Sequence, residues 1–138
     1  MQVLLAILLA STAAYLSNRL VVRSFGNISI ITIVPVLEEL LKTGSAALLS
    51  ASLWWVHLGF GFLEAVSDIL QRPRPFPLVG YVAAWCSLVG HGAFAAVTVW
   101  GLSSTGSLMW GLLLGSGLHL LWNVSVARLV EQRWGGRL

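Results

Sequence analysis

Apolar residues fill this chain in long unbroken blocks, separated by a few short polar interruptions. Five blocks approach the roughly 20 apolar residues that a helix needs to cross hydrocarbon. They cover about residues 3–22, 28–51, 53–70, 78–102 and 108–130. The runs are continuous and not alternating, so they read as helices and exclude a transmembrane β-barrel. The interruptions are equally legible. QRPRPFP, between the third and fourth blocks, carries three prolines that stop any helix, and SSTGS makes a polar turn before the fifth. The pattern predicts an all-α integral membrane protein. It is a single domain over residues 1–138, a bundle of about five transmembrane helices in the lipid bilayer.

Composition agrees. Only 9% of residues are charged and 57% are hydrophobic, whereas a soluble domain carries about 25% charged residues. The first block starts at Val3 with no basic segment before it, so it is expected to be a membrane span and not a cleaved signal. One cysteine, Cys86, excludes an internal disulfide framework and a thiolate metal site; in its apolar stretch it is expected to pack.

The net charge of +3 does not call for nucleic acid as a partner, because its distribution has a simpler reading. Arg19 and Arg23, then Arg72 and Arg74, then Arg128, Arg133 and Arg137 fall on one side when five spans are threaded. The turns near Ser52 and Ser104, on the other side, are uncharged and flanked by Trp54, Trp55, Trp100 and Trp110. By the positive-inside rule the N-terminus lies outside and the C-terminus in the cytoplasm. Arginine over lysine fits a bacterial inner membrane as the location of this multi-pass chain.

Against this background Glu38, Glu39, Lys42 and Glu64 stand out. At about 2.5–3.5 kcal/mol each on insertion scales, they must pair, lose charge, bind a cation or line water. At a rise of about 1.5 Å per residue, Glu38, Glu64, His91 and His119 fall at similar depths in the cytoplasmic half of four different helices. That agreement predicts one site. Lys42 is three residues from Glu39 and four from Glu38, so it can pair with either. His119 and Asn123, in HLLWN, share a helix face, and Pro35 is expected to kink the second span beside the carboxylates. His57 is expected at the outer interface, away from the cluster, and Asp68 to meet Arg72. The Gly111–Gly115 pair reads as internal packing before it reads as a dimer face.

Two histidines and a carboxylate make a common catalytic zinc set, and zinc brings a bound water's pKa to about 7. Glu64, His91 and His119 supply those ligand types. Glu38 or Glu39 supplies a general base, and Asn123 a donor for an oxyanion.

EELLK at Glu38–Lys42, FGFLE at Phe60–Glu64, HGAF at His91 and HLLWN at His119–Asn123 together resemble the four motifs of the PrsW-type membrane proteases. That group belongs to the superfamily of CAAX prenyl endopeptidases and bacteriocin-processing (Abi) proteins. The glutamate in the second motif is similar to the PrsW branch; the CAAX branch has histidine there. The resemblance implies a glutamate-dependent intramembrane endopeptidase, with Glu38 activating water and Glu64, His91 and His119 lining the site or holding metal. Its partner would be a membrane-embedded or juxtamembrane peptide. The chain is shorter than typical members, so a gating element is expected from a partner or from a second copy in a homo-oligomer. A non-catalytic scaffold of the same fold is the main competing expectation. An ion or proton transporter ranks lower, because the outer halves of the spans offer only His57.

Overall fold

The structure, a computed structural model, describes residues 1–71 and 77–134, and side chains over residues 1–71 and 78–129. Five helices follow one another: α1 (Gln2–Phe25), α2 (Ile33–Leu48), α3 (Leu53–Leu70), α4 (Pro77–Thr105) and α5 (Leu108–Trp134). A 3-10 turn at Asn27–Ile31 precedes α2, and no strand occurs among the described residues. α4 opens on Pro77, at a position where proline's missing N–H costs nothing. α1, α3, α4 and α5 are each long and apolar enough to cross a membrane. Their outward faces carry large exposed apolar side chains such as Leu4, Leu16, Leu20, Phe62 and Leu121. So broad an apolar surface suits lipid and not water. The chain is a multi-pass, all-α membrane protein.

The second block departs from its expected span of 28–51. The helix proper has 16 residues, about 24 Å at the usual rise, which is shorter than a hydrocarbon core of about 30 Å. Pro35 is the reason at one end. It sits in the first turn of α2, where it starts the helix and introduces no kink. At the other end the chain turns sharply: Ala51 N donates to Ala46 O (2.8 Å) and Ser50 N to Ala47 O (3.2 Å). Ser50 adopts φ of 50°, the left-handed position of a Schellman cap.

Short as it is, α2 with its 3-10 turn runs the length of the bundle. Ala46, near its C-terminal end, packs with Ala6 of α1 and Val56 of α3. Ala10 and Ala14 pack with Phe60, so α3 runs parallel to α1 and α2 runs against both. Asp68 is tied to Ser87, and Asn123 to Ile30, at the opposite end from the α2–α3 turn. Asp68 was expected to meet Arg72; it instead accepts from the Ser87 hydroxyl at 2.9 Å, and Arg72 lies outside the described residues. Arg19, Arg23 and Arg128 gather at that same end. Arg74 and Arg137 also lie outside the described residues, and only the backbone of Arg133 is described. Trp54, Trp55, Trp100 and Trp110 sit exposed around the turns at the other end.

Glycine sets how close α4 and α5 come. A Cβ added to Gly111 would lie 2.6 Å from Thr98 O, and one on Gly101 would lie 3.0 Å from Gly111 Cα. The small-residue face of α5 is therefore spent inside the chain, against α4. Gly44 is different: nothing lies within 4 Å of a Cβ placed there. We expect Gly111→Ala to lower stability by about 1–3 kcal/mol through overpacking against backbone. Gly44→Ala should raise it by about 0.5–1 kcal/mol through helix propensity. Thermal unfolding of the two variants in detergent micelles, compared with wild type, checks both signs.

Candidate functional site

The site is organised by two neighbouring residues of α2. Consecutive residues on a helix point about 100° apart, so Glu38 and Glu39 face different surroundings.

Glu39 points into the protein. It is fully buried, and both of its oxygens are engaged. Oε1 accepts from Lys42 Nζ at 2.5 Å and from His119 Nδ1 at 3.0 Å. Oε2 accepts from His57 Nε2 at 2.9 Å. Lys42, equally buried, places its Nζ 2.9 Å from His91 Nδ1 and 4.8 Å from the centre of the Phe60 ring. Phe94 lies on another side, at 5.8 Å. An ammonium that has left water keeps a carboxylate, an imidazole nitrogen and two aromatic faces in exchange. Of its two candidate partners, Lys42 takes Glu39.

His57 overturns the expectation made for it. The ring is fully buried and bonded to Glu39, and is not at the outer interface. Counting residues along upright helices fixes the depth of backbone, but not where the end of a long side chain reaches. Its Nδ1 donates to Leu53 O at 2.9 Å. Since that carbonyl and the Glu39 carboxylate are both acceptors, the contact pair calls for a proton on each ring nitrogen or one on Glu39.

Glu38 points the other way, to a cavity. Its Oε1 accepts from Asn18 Nδ2 at 2.7 Å. Its Oε2 lies 3.9 Å from His119 Nε2, too far for a direct hydrogen bond. Glu64 Oε2 accepts from His91 Nε2 at 2.5 Å. The rings of His91 and His119 are 5.4 Å apart, and His119 stacks on Phe94 with centroids 4.2 Å apart. The structure thus brings together Glu38, Glu64, His91 and His119, one from each of α2 to α5. Gly61 and Gly115 make room: a Cβ on Gly61 would fall 2.7 Å from His91 Cβ, and one on Gly115 would overlap the Thr98 hydroxyl and touch Glu39.

All four residues, with Asn123 and Trp122, bound a cavity of about 320 Å³. Asn123 donates one amide hydrogen to Ile30 O at 3.2 Å, which leaves the second for another acceptor. Cys86 also lines the cavity. Glu39, expected as an alternative base, lines no part of it.

Zinc was expected on Glu64, His91 and His119. The group whose ligand atoms lie within 4.8 Å of one another is instead Glu38, Glu64 and His91. A histidine that binds metal donates its other ring N–H to an acceptor. His119 satisfies this, since its Nδ1–H goes to Glu39. His91 does not, because its Nδ1 faces the ammonium of Lys42, which can only donate. With Lys42 charged, His91 carries its hydrogen on Nε2 and gives it to Glu64. The residues present therefore do not fit the expected zinc set.

Asn18 was passed over by sequence reasoning, and His57 was assigned to the outer interface. Each lies near the end of a span, and nothing in its spacing links it to EELLK.

The two glutamates should differ sharply when neutralised. Glu39→Gln leaves a buried lysine without its counter-charge and should cost about 3–5 kcal/mol. Glu38→Gln keeps an acceptor for Asn18 and faces a cavity, so its loss should be much smaller. Thermal midpoints of the two variants in the same detergent measure the difference; equal losses would contradict this division.

No family model, no characterised protein and no solved structure matches this chain, so its function has to be argued from these residues.

Proposed function

We propose that this protein is a glutamate-dependent intramembrane endopeptidase that cleaves a membrane-embedded or juxtamembrane peptide. One observation carries the reading. Glu38 is buried, lines the cavity, and has one oxygen fixed by Asn18 while the other has no hydrogen-bond partner among the described residues. A general base needs this combination, a held carboxylate with a lone pair left over for water. The resemblance of the four motif segments to PrsW-type proteases points the same way.

The residues divide the reaction as follows. A peptide carbonyl enters the 320 Å³ cavity. Glu38 takes a proton from water, and the hydroxide attacks the carbonyl carbon. The second amide hydrogen of Asn123 is available to the developing oxyanion. His119, held through Nδ1 by Glu39 and stacked on Phe94, turns Nε2 towards the same space. Glu38 then passes its proton to the leaving amine as the C–N bond breaks. Glu39 acts through His119 and Lys42 as a positioning residue. Glu64 and His91 form the remaining polar wall. No step is routed through zinc, because the surroundings of His91 do not suit it.

The cavity opens towards the end of the bundle that carries Arg19, Arg23 and Arg128. By the positive-inside rule that end faces the cytoplasm, and the membrane would be a bacterial inner membrane.

Two measurements test the proposal. In liposomes carrying single-span peptide libraries, product peptides read by mass spectrometry should appear with wild type. They should vanish with Glu38→Gln, whose thermal midpoint stays near wild type, and fall about 10²–10³-fold with Asn123→Ala. Cleavage by Glu38→Gln at the wild-type rate would end the mechanism. Elemental analysis of purified protein should find no stoichiometric zinc. Zinc at one per chain, lost in His119→Ala, would overturn the metal-free route and restore the zinc set.

A further inference from the structure

A second cavity, of about 250 Å³, lies between α1 and α3. Glu38 and Glu64 belong to both cavities, so the two carboxylates form the wall where they meet. The lining from α1 is unlike the rest of that helix. Ser11, Tyr15 and Asn18 recur at spacings of four and three residues, which places them on one face. Opposite them on α3 are Phe60, Leu63 and Ser67. The remainder of α1 exposes leucines suited to lipid, among them Leu5, Leu8, Leu9 and Leu16.

Two residues that line this cavity each have a buried polar atom without a hydrogen-bond partner among the described residues: Ser11 Oγ and Asn18 Oδ1. The orientation of the Asn18 amide is fixed by chemistry. Only its nitrogen can donate to the Glu38 carboxylate, so Oδ1 must turn away from that bond and requires a donor of its own. In hydrocarbon an unmet buried acceptor costs several kcal/mol. Water entering from the cavity these residues border would meet that demand. Lipid tails have no donor to offer.

We infer that the α1–α3 cavity is a hydrated passage that carries water to Glu38, separate from the cavity on the α4–α5 side. It gives the base a supply of water while a peptide fills the other cavity. The passage starts at the arginine end, where Tyr15 accepts from Arg19 at 3.2 Å and Ser67 from Gln71. It passes the carboxylates and reaches Ser11, two turns further along α1 than Asn18. The inference concerns access to Glu38 and stands independently of peptide hydrolysis.

Thiol labelling tests it without any substrate. In a Cys86→Ser background, reconstituted in liposomes, Ser67→Cys, Ser11→Cys and the lipid-facing Leu9→Cys are each exposed to a membrane-impermeant cationic methanethiosulfonate and, separately, to N-ethylmaleimide. Labelling after denaturation in SDS confirms that every thiol is present. The expected result is cationic labelling of Ser67→Cys and Ser11→Cys, with loss of labelling at Leu9→Cys. Because Ser11 lies beyond Glu38, its reaction with a charged reagent means that water passes the carboxylates. Labelling at Ser67→Cys alone would overturn the inference, since water would stop short of the wall. Labelling of Ser11→Cys by the maleimide alone would identify a lipid-filled groove, and no labelling would identify closed packing; either overturns it. Failure here with retained loss of cleavage in Glu38→Gln would leave the protease reading standing.

Discussion

The buried pair of Glu39 and Lys42 is the interaction on which the arrangement of this bundle depends. Each charge alone at mid-membrane would cost about 2.5–3.5 kcal/mol on insertion scales. A buried ion pair is not by itself a source of stability, and its importance here is geometric. Glu39 accepts from His57 on α3 and His119 on α5, while Lys42 reaches His91 on α4. One carboxylate and one ammonium on α2 therefore fix the register of the three helices around it. Lipid supplies almost no hydrophobic force between helices, so directional contacts of this kind matter more here than in a water-soluble core.

The same pair explains why two adjacent glutamates are useful. Two histidines and a lysine need an acceptor, and Glu39 provides it with both oxygens engaged. That leaves Glu38, one residue away and turned by about 100°, free to face open space. A single glutamate could not do both, because a carboxylate fully buried among three donors does not face the cavity. A chain with Glu38 alone would leave Lys42 without its acid. The surplus acid that the sequence displays is thus a division between a carboxylate that holds the helices and one that faces the cavity.

Much of this was legible in the sequence. Continuous apolar blocks gave the helices, and equal depth correctly grouped Glu38, Glu64, His91 and His119. The spacing of EELLK allowed both possible partners for Lys42 and had no means to choose, because the choice depends on which face of α2 meets α4. His57 was misplaced for a related reason: its partner is on another helix, and residue counting gives no account of side-chain reach. The extent of the second span was overestimated because hydropathy counts apolar residues wherever they fall. Ile28, Ile30 and Ile31 belong to a 3-10 turn, and Pro35 marks the start of the helix. Asn18 could be found only once α1 was known to lie against Glu38.

The shortness of α2 and its load of ionisable residues are connected. Its buried face includes Glu38, Glu39, Lys42, Thr43 and Ser45, so in lipid by itself it would be a poor span on both length and polarity. It becomes acceptable only with α1 and α3 against it and with His91 and His119 in reach. The long apolar helices α1, α3, α4 and α5 need no such help to enter a bilayer. The polar centre is therefore complete only when these helices are packed together. The proposed base, Glu38, then meets water only within the assembled bundle. A short helix tolerated by its neighbours is also one that need not fill the space around it, and the cavity beside Glu38 lies where the 3-10 turn, through Ile30 and Ile31, takes the place of a longer helix.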